Sequence, residues 1–156
     1  MAKILLYTFN VSSSITNKIV REVTFPVSKY YLGSLKDLER LIRDEHFDYI
    51  LGLGNYNGKS RYIRIECVYK NKYRYSNRQI INSGKSEYLS TWKLSKYKGS
   101  AIAKNVLYGP CNRSAYKMSA LIDENNLLTK FAFIHIPKKC DFDTALELVN
   151  RWLKSV

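Results

Sequence analysis

Two short runs of this chain carry apolar residues at consecutive positions: Ile4-Leu-Leu-Tyr7 near the start and Phe131-Ala-Phe-Ile-His-Ile-Pro137 near the end. A strand with one face in water alternates apolar and polar residues. One that is apolar without alternation has to be covered on both faces, as happens in a parallel sheet between two layers of helices. Helices of the required kind are present. Ser34 precedes Leu35, Leu38, Leu41 and Ile42 on one helical face, with Lys36, Asp37, Glu39, Arg40 and Arg43 on the other. Phe142, Ala145, Leu146, Val149 and Leu153 repeat the pattern behind a cap at Asp141 or Asp143. A shorter helix over about Ile15–Arg21 has cap candidates in Ser12, Ser13 and Ser14.

The remaining segments read as further strands and turns. Val23–Val27 is a short strand whose proline assigns it to an edge. Phe47–Leu53 is a strand followed by the glycine-asparagine loop GLGNYNGK. That loop has neither the Gly-Lys-Ser ending at Walker spacing nor the dinucleotide fingerprint, so it does not read as a phosphate cradle. Arg61–Tyr69 alternates as one strand, Asn71–Lys98 carries little pattern, and Ser100–Leu107 reads as another strand. The order implies an α/β fold, a three-layer sandwich with a mostly parallel or mixed central sheet flanked by helices. At 156 residues and 46% hydrophobic content, a single domain over residues 1–156 is expected.

Composition narrows the chemistry. No run approaches the roughly 20 apolar residues of a membrane span, and the first apolar run is too short for a signal peptide. Cys67, Cys111 and Cys140 form no zinc-type spacing, and only two histidines are present, so no structural metal is expected. Scattered cysteines with no secretion signal imply free thiols in a reducing, cytoplasmic setting. The net charge of +13 raises nucleic acid as a partner, as do Tyr62, Tyr69, Tyr73, Tyr75 and Trp92 among the lysines and arginines. The positive residues are spread along the chain, densest between Lys59 and Lys104, without forming a basic tail, which does not favour that reading.

Three residues carry candidate chemistry. Gly109 and Pro110 break the preceding segment, so Cys111 falls at a helix start, where backbone N–H groups and the helix dipole are expected to lower a thiol's pKa. His135 ends a buried strand, the position where ligands and catalytic groups collect in open α/β sheets. Glu66 lies between Ile65 and Cys67 in an apolar setting, where a carboxylate is costly unless paired. Each also has a plainer reading, as a packing cysteine, a polar strand end and a solvated strand residue.

Taken together and in order, these residues resemble the pyroglutamyl peptidase I family, also called pyrrolidone-carboxylate peptidases. The similarity rests on Cys111-Asn112, on Phe133-Ile-His-Ile-Pro137, on Glu66-Cys-Val-Tyr-Lys-Asn71, on Lys3-Ile-Leu-Leu-Tyr-Thr-Phe9 and on Phe25-Pro-Val-Ser28. It spans nearly the whole chain. The resemblance implies a cysteine peptidase with a Cys111, His135 and Glu66 triad that removes an amino-terminal pyroglutamyl residue. It also implies substrate contacts at Phe9, Asn10 and Arg74, a small peptide as partner and no cofactor, with self-association left open. The chain departs from the family in its first loop, where Phe9-Asn-Val-Ser-Ser-Ser14 replaces a loop rich in glycine and aromatics. A weakened acyl pocket is therefore expected. A noncatalytic or differently specific relative, and a basic nucleic-acid-binding protein, are the alternatives.

Overall fold

The computed structural model describes residues 1–156. The chain runs β1 (Ile4–Phe9), α1 (Ile15–Glu22), β2 (Ser28–Leu32), α2 (Leu35–Asp44), β3 (Tyr49–Tyr56), β4 (Ile63–Glu66), β5 (Val68–Lys70), β6 (Glu87–Leu89), β7 (Ser100–Ile102), α3 (Pro110–Glu124), β8 (Lys130–Pro137) and α4 (Phe142–Leu153). Six strands form a sheet in the order β2-β1-β3-β8-β4-β7, and β5 and β6 form a separate two-stranded ribbon. The neighbours from β2 to β8 pair in parallel; β4 runs antiparallel to β8 and parallel to β7. No helix is long and apolar enough to cross a membrane.

The unalternating strands are covered as their composition requires. Ile4, Leu6, Leu51, Leu53 and Ile134 pack with α1 and α4 residues in one core. The intervening Leu5, Tyr7, Ile50, Phe131 and Phe133 pack with α2 and α3 in the other. Successive side chains of a strand point to opposite faces, so both halves of each run are buried. Full burial of one such side chain stabilises by about 1.5–3 kcal/mol before ordering entropy is charged against it. Trp152 is fully buried and donates its indole N–H to Ser95 O at 2.8 Å, so the largest core side chain leaves no polar atom unpaired.

The helix ends follow local chemistry. Ser14 Oγ accepts from Asn17 N–H at 3.2 Å, and Ser34 and Asp37 form a reciprocal capping box. Of the two caps considered for α4, the structure uses Asp141, whose carboxylate accepts from Thr144 N–H at 2.9 Å. Gly109 precedes α3 at φ +127°, which a side chain would strain, and Pro110 opens the helix where its missing N–H costs nothing.

Four expected strands differ in extent. Val23–Val27 is not a strand: Pro26 cannot donate to a ladder, and the edge strand begins at Ser28, paired with Leu5. β3 continues through Gly54, Asn55 and Tyr56, which had read as loop. Ser100–Leu107 pairs only as far as Ile102, with one further bond from Ala103 N–H to Ile65 O at 2.9 Å. The alternating run Arg61–Tyr69 is two strands broken at Cys67, whose carbonyl accepts from Ser90 N–H as the chain leaves the main sheet for the ribbon.

Candidate active site

Strand registry brings the three candidate residues together. His135 lies opposite Gly54 on β3 and opposite Arg64 on β4, while Glu66 lies opposite Phe133. Arg64 and Glu66 are two residues apart, so they share one face of β4, and Glu66 is the diagonal neighbour of His135. The imidazole Nδ1 is 2.8 Å from Glu66 Oε1, and both residues are 4% exposed. A carboxylate only accepts, so Nδ1–H is the donor, and in the neutral imidazole the lone pair then lies on Nε2. The same Glu66 oxygen accepts from Arg64 Nε–H at 3.1 Å. These partners answer the cost of burying the carboxylate, and Glu66 is not the solvated residue of its plainer reading.

Cys111 is the second residue of α3. A Cβ built at Gly54 would stand 2.6 Å from its Sγ, so the absence of a side chain on β3 lets the thiol reach the sheet. Gly52 does the same for the rings of Tyr7 and Phe133, which a Cβ there would meet at 2.7 and 2.5 Å. Cys111, His135 and Glu66 line one narrow cleft with Val68, Val106 and Phe133, whose interior of about 10 Å³ holds no more than one water. Glu66, Val68 and Val106 also wall an adjoining open cavity of about 500 Å³, with Lys70, Lys104 and Tyr108 on its rim. The first intrahelical bond of α3 is made by Arg113 N–H to Gly109 O at 3.0 Å, so the amides of Cys111 and Asn112 precede it and lack an i−4 helical partner.

The expected lowering of the Cys111 pKa is corrected by its burial. Desolvation, reinforced by the negative charge of Glu66, pushes the thiol up to about 12. Its own backbone amide at the helix start acts in the opposite direction and is outweighed. Cys111 is therefore favoured as a thiol near neutral pH, and thiolate chemistry at this position would need a base to take its proton.

The remaining expected contacts spread over a wider area. Phe9 ends β1 and walls a cavity of about 140 Å³ with Leu32, Pro110 and Arg113, beside the start of α3. Asn10 follows it and is exposed. Arg74 lies outside the walls around Cys111, with its guanidinium over the Tyr75 ring at 4.8 Å. Of the aromatics suited to base stacking, Tyr69 and Trp92 are core residues, whereas Tyr62 and Tyr75 are exposed. Asn112 carries more of the architecture than its motif suggested. It is buried, accepts from Lys70 N–H at 2.9 Å and donates to Lys70 O at 2.9 Å, tying the Cys111 turn to β5. Arg64 went unremarked in the sequence, although its place two residues before Glu66 on an alternating strand is the signal that it shares that face.

A mixed, mostly parallel sheet with helices on both faces is an open α/β architecture, and in that class ligands commonly bind at the carboxyl ends of the parallel strands. Solved structures narrow the class. The chain matches pyroglutamyl peptidase I of Bacillus amyloliquefaciens at a TM-score of 0.80 and 17% identity, covering 96% of this chain and 94% of that one. A mutant pyrrolidone carboxyl peptidase from the hyperthermophile Pyrococcus furiosus matches at 0.82 and 15%, with coverage of 97% and 96%. Another mutant of the same enzyme gives 0.82 and 17%, with coverage of 99% and 97%. No protein-family model and no curated protein matches the sequence. The chain has the pyroglutamyl peptidase I fold.

Proposed function

We propose that this chain is a cysteine peptidase that removes an amino-terminal pyroglutamyl, or closely related acyl, residue from a small peptide. The observation that carries the reading is the buried 2.8 Å pairing of His135 with Glu66 on the walls of the cleft that Cys111 lines. In this reading His135 Nε2 takes the thiol proton as the sulfur attacks the amide carbonyl. The amides at the start of α3 stabilise the oxyanion. The C–N bond breaks as the imidazolium gives its proton to the leaving amine, and water then hydrolyses the thioester. Glu66 holds the imidazole in the required tautomer and balances its charge. This chemistry needs no cofactor, and its free thiol suits a reducing, cytoplasmic setting.

The cavity beside Phe9 is the candidate acyl subsite, with an apolar wall of Phe9, Leu32 and Pro110 and a cation, Arg113, at its edge. Val11, Ser12 and Ser13 stand exposed after Phe9, consistent with a pocket more open than an aromatic loop would make. The test is hydrolysis of a fluorogenic pyroglutamyl amide by the native chain and by Cys111→Ala, with release of fluorophore by the former alone as the expected result. The second reading is binding of nucleic acid, favoured by the exposed Tyr62 and Tyr75 beside Arg61 and Arg74. Affinity for a single-stranded oligonucleotide that survives alkylation of Cys111, with no amide hydrolysis, would select it.

A further inference from the structure

We infer that Arg64 is a positioning residue for this site: it fixes the carboxylate that aligns His135 and, through the same guanidinium, pins the loop that walls the cleft. The inference rests on the reading of Cys111, His135 and Glu66 as one working unit and adds a fourth member to it.

The geometry is that of a fork. Arg64 Nε–H donates to Glu66 Oε1 at 3.1 Å, and the same oxygen receives His135 Nδ1–H at 2.8 Å. Two donors converging on one oxygen restrain where that oxygen, and with it the imidazole, can sit. The other arm, Nη2, donates to Asn105 O at 2.8 Å and to Asn105 Oδ1 at 3.3 Å. Val106, which follows Asn105, walls both the cleft and the adjoining cavity. The guanidinium also lies 5.4 Å from the Tyr56 ring, whose edge packs against His135 at 6.4 Å between centroids. The Arg64 side chain is only 16% exposed and the Glu66 side chain 5%, so the bond between them is largely shielded from water, whereas the arm to Asn105 reaches the surface. A planar group with several fixed donors can serve carboxylate, loop and ring together, whereas a lysine ammonium is a single point charge.

Electrostatics acts in the same direction. The negative charge of Glu66 is one of the causes that hold the Cys111 thiol up, and a cation on that carboxylate offsets it. Removing Arg64 would free the carboxylate, misalign the imidazole and leave the thiol facing a less compensated charge.

The test uses alkylation of Cys111 by iodoacetamide near neutral pH, followed by mass spectrometry, which needs no assumption about the substrate. Arg64→Gln should slow the reaction roughly tenfold, and combining it with Glu66→Gln should be no slower than Glu66→Gln alone, as expected of two residues in one chain of action. Arg64→Lys, which returns the charge without the fork, should stay within about threefold of Arg64→Gln. The low-field Nδ1 proton resonance of His135 should shift or broaden in both variants. Thermal unfolding checks folding, and Arg64→Lys carries the test if Arg64→Gln does not fold. Wild-type alkylation in the Arg64 variants beside a slow Glu66→Gln would overturn the inference. Faster alkylation would do so as well, since it would mean that Arg64 only pins the loop. Full rescue by lysine or multiplicative losses in the double variant would equally remove the fork or the shared path. If Glu66→Gln and His135→Ala themselves leave the rate unchanged, the reading of the triad has failed, and Arg64 has nothing to position.

Discussion

The two sides of the sheet are built on different terms. On the parallel side, β2-β1-β3-β8, the strands β1, β3 and β8 are covered on both faces by two layers of helices and are apolar along most of their length, while the edge strand β2 is largely exposed. The antiparallel flank, β4 and β7, with the β5–β6 ribbon beyond it, comes from a segment with twelve lysines and arginines and only two acidic residues between Lys59 and Lys104. Both of those acidic residues are paired, Glu66 with Arg64 and Glu87 with Lys70. The candidate site lies on the seam, with His135 on β8 and Glu66 on β4, while Cys111 comes from α3 against β3. The apolar side carries the thiol and the imidazole, and the basic flank carries the carboxylate that pairs with the imidazole. Neither side makes the site alone.

The sharpest way to break this picture is to remove the thiol. Cys111→Ala should abolish pyroglutamyl amide hydrolysis while leaving the melting temperature within a few degrees of the native chain. Retained turnover would put the chemistry elsewhere.

The contribution of the flank is tested by Glu66→Gln, which keeps shape and hydrogen bonding but loses charge. Turnover should fall by about 10²–10⁴, read as kcat on the fluorogenic amide. In parallel, His135→Ala should make alkylation of Cys111 climb only in the alkaline range, towards the value of about 12 to which burial pushes the thiol. The native chain should react near neutral pH. The sign follows from the correction above: a raised thiol pKa means little thiolate below it, so the base has to supply the reactivity.

Close approach on the apolar side is probed by Gly54→Ala. A methyl group 2.6 Å from Sγ forces the thiol or α3 to move, and a displacement of this kind can cost about a hundredfold in rate. The same substitution should slow alkylation of Cys111 but not of Cys67.

Stability should divide along the same seam. Trp152→Ala in the core should cost about 3–5 kcal/mol, whereas Leu89→Ala on the exposed ribbon strand should fall within about 0.5 kcal/mol of the native chain, both measured by denaturant unfolding. The smallest effect concerns the loop after Phe9. Val11→Phe or Ser12→Phe should raise kcat/KM on the pyroglutamyl amide by roughly tenfold if the missing aromatic wall limits binding.

How much was legible in the sequence divides at the same place. The apolar runs at Ile4–Tyr7 and Phe131–Pro137 and the amphipathic helices from Leu35 and Phe142 determined the layers, because burial on two faces and on one helical stripe leaves a periodic trace in the chain. The glycine-proline break before Cys111 marked the helix start for the same local reason. Pairing partners leave no such trace. Alternation alone did not show that Arg61–Tyr69 breaks at Cys67, nor did it reveal that β4 runs antiparallel beside β8, which is what turns Glu66 and Arg64 towards His135. Helix-start chemistry pointed to a lowered thiol pKa at Cys111. Burial against Gly54 and the charge of Glu66 reversed that, since desolvation depends on neighbours distant in the chain. The sequence determined which residues could do chemistry; the tertiary structure decided which of them meet, because hydrogen bonds and electric fields act across space and not along the backbone.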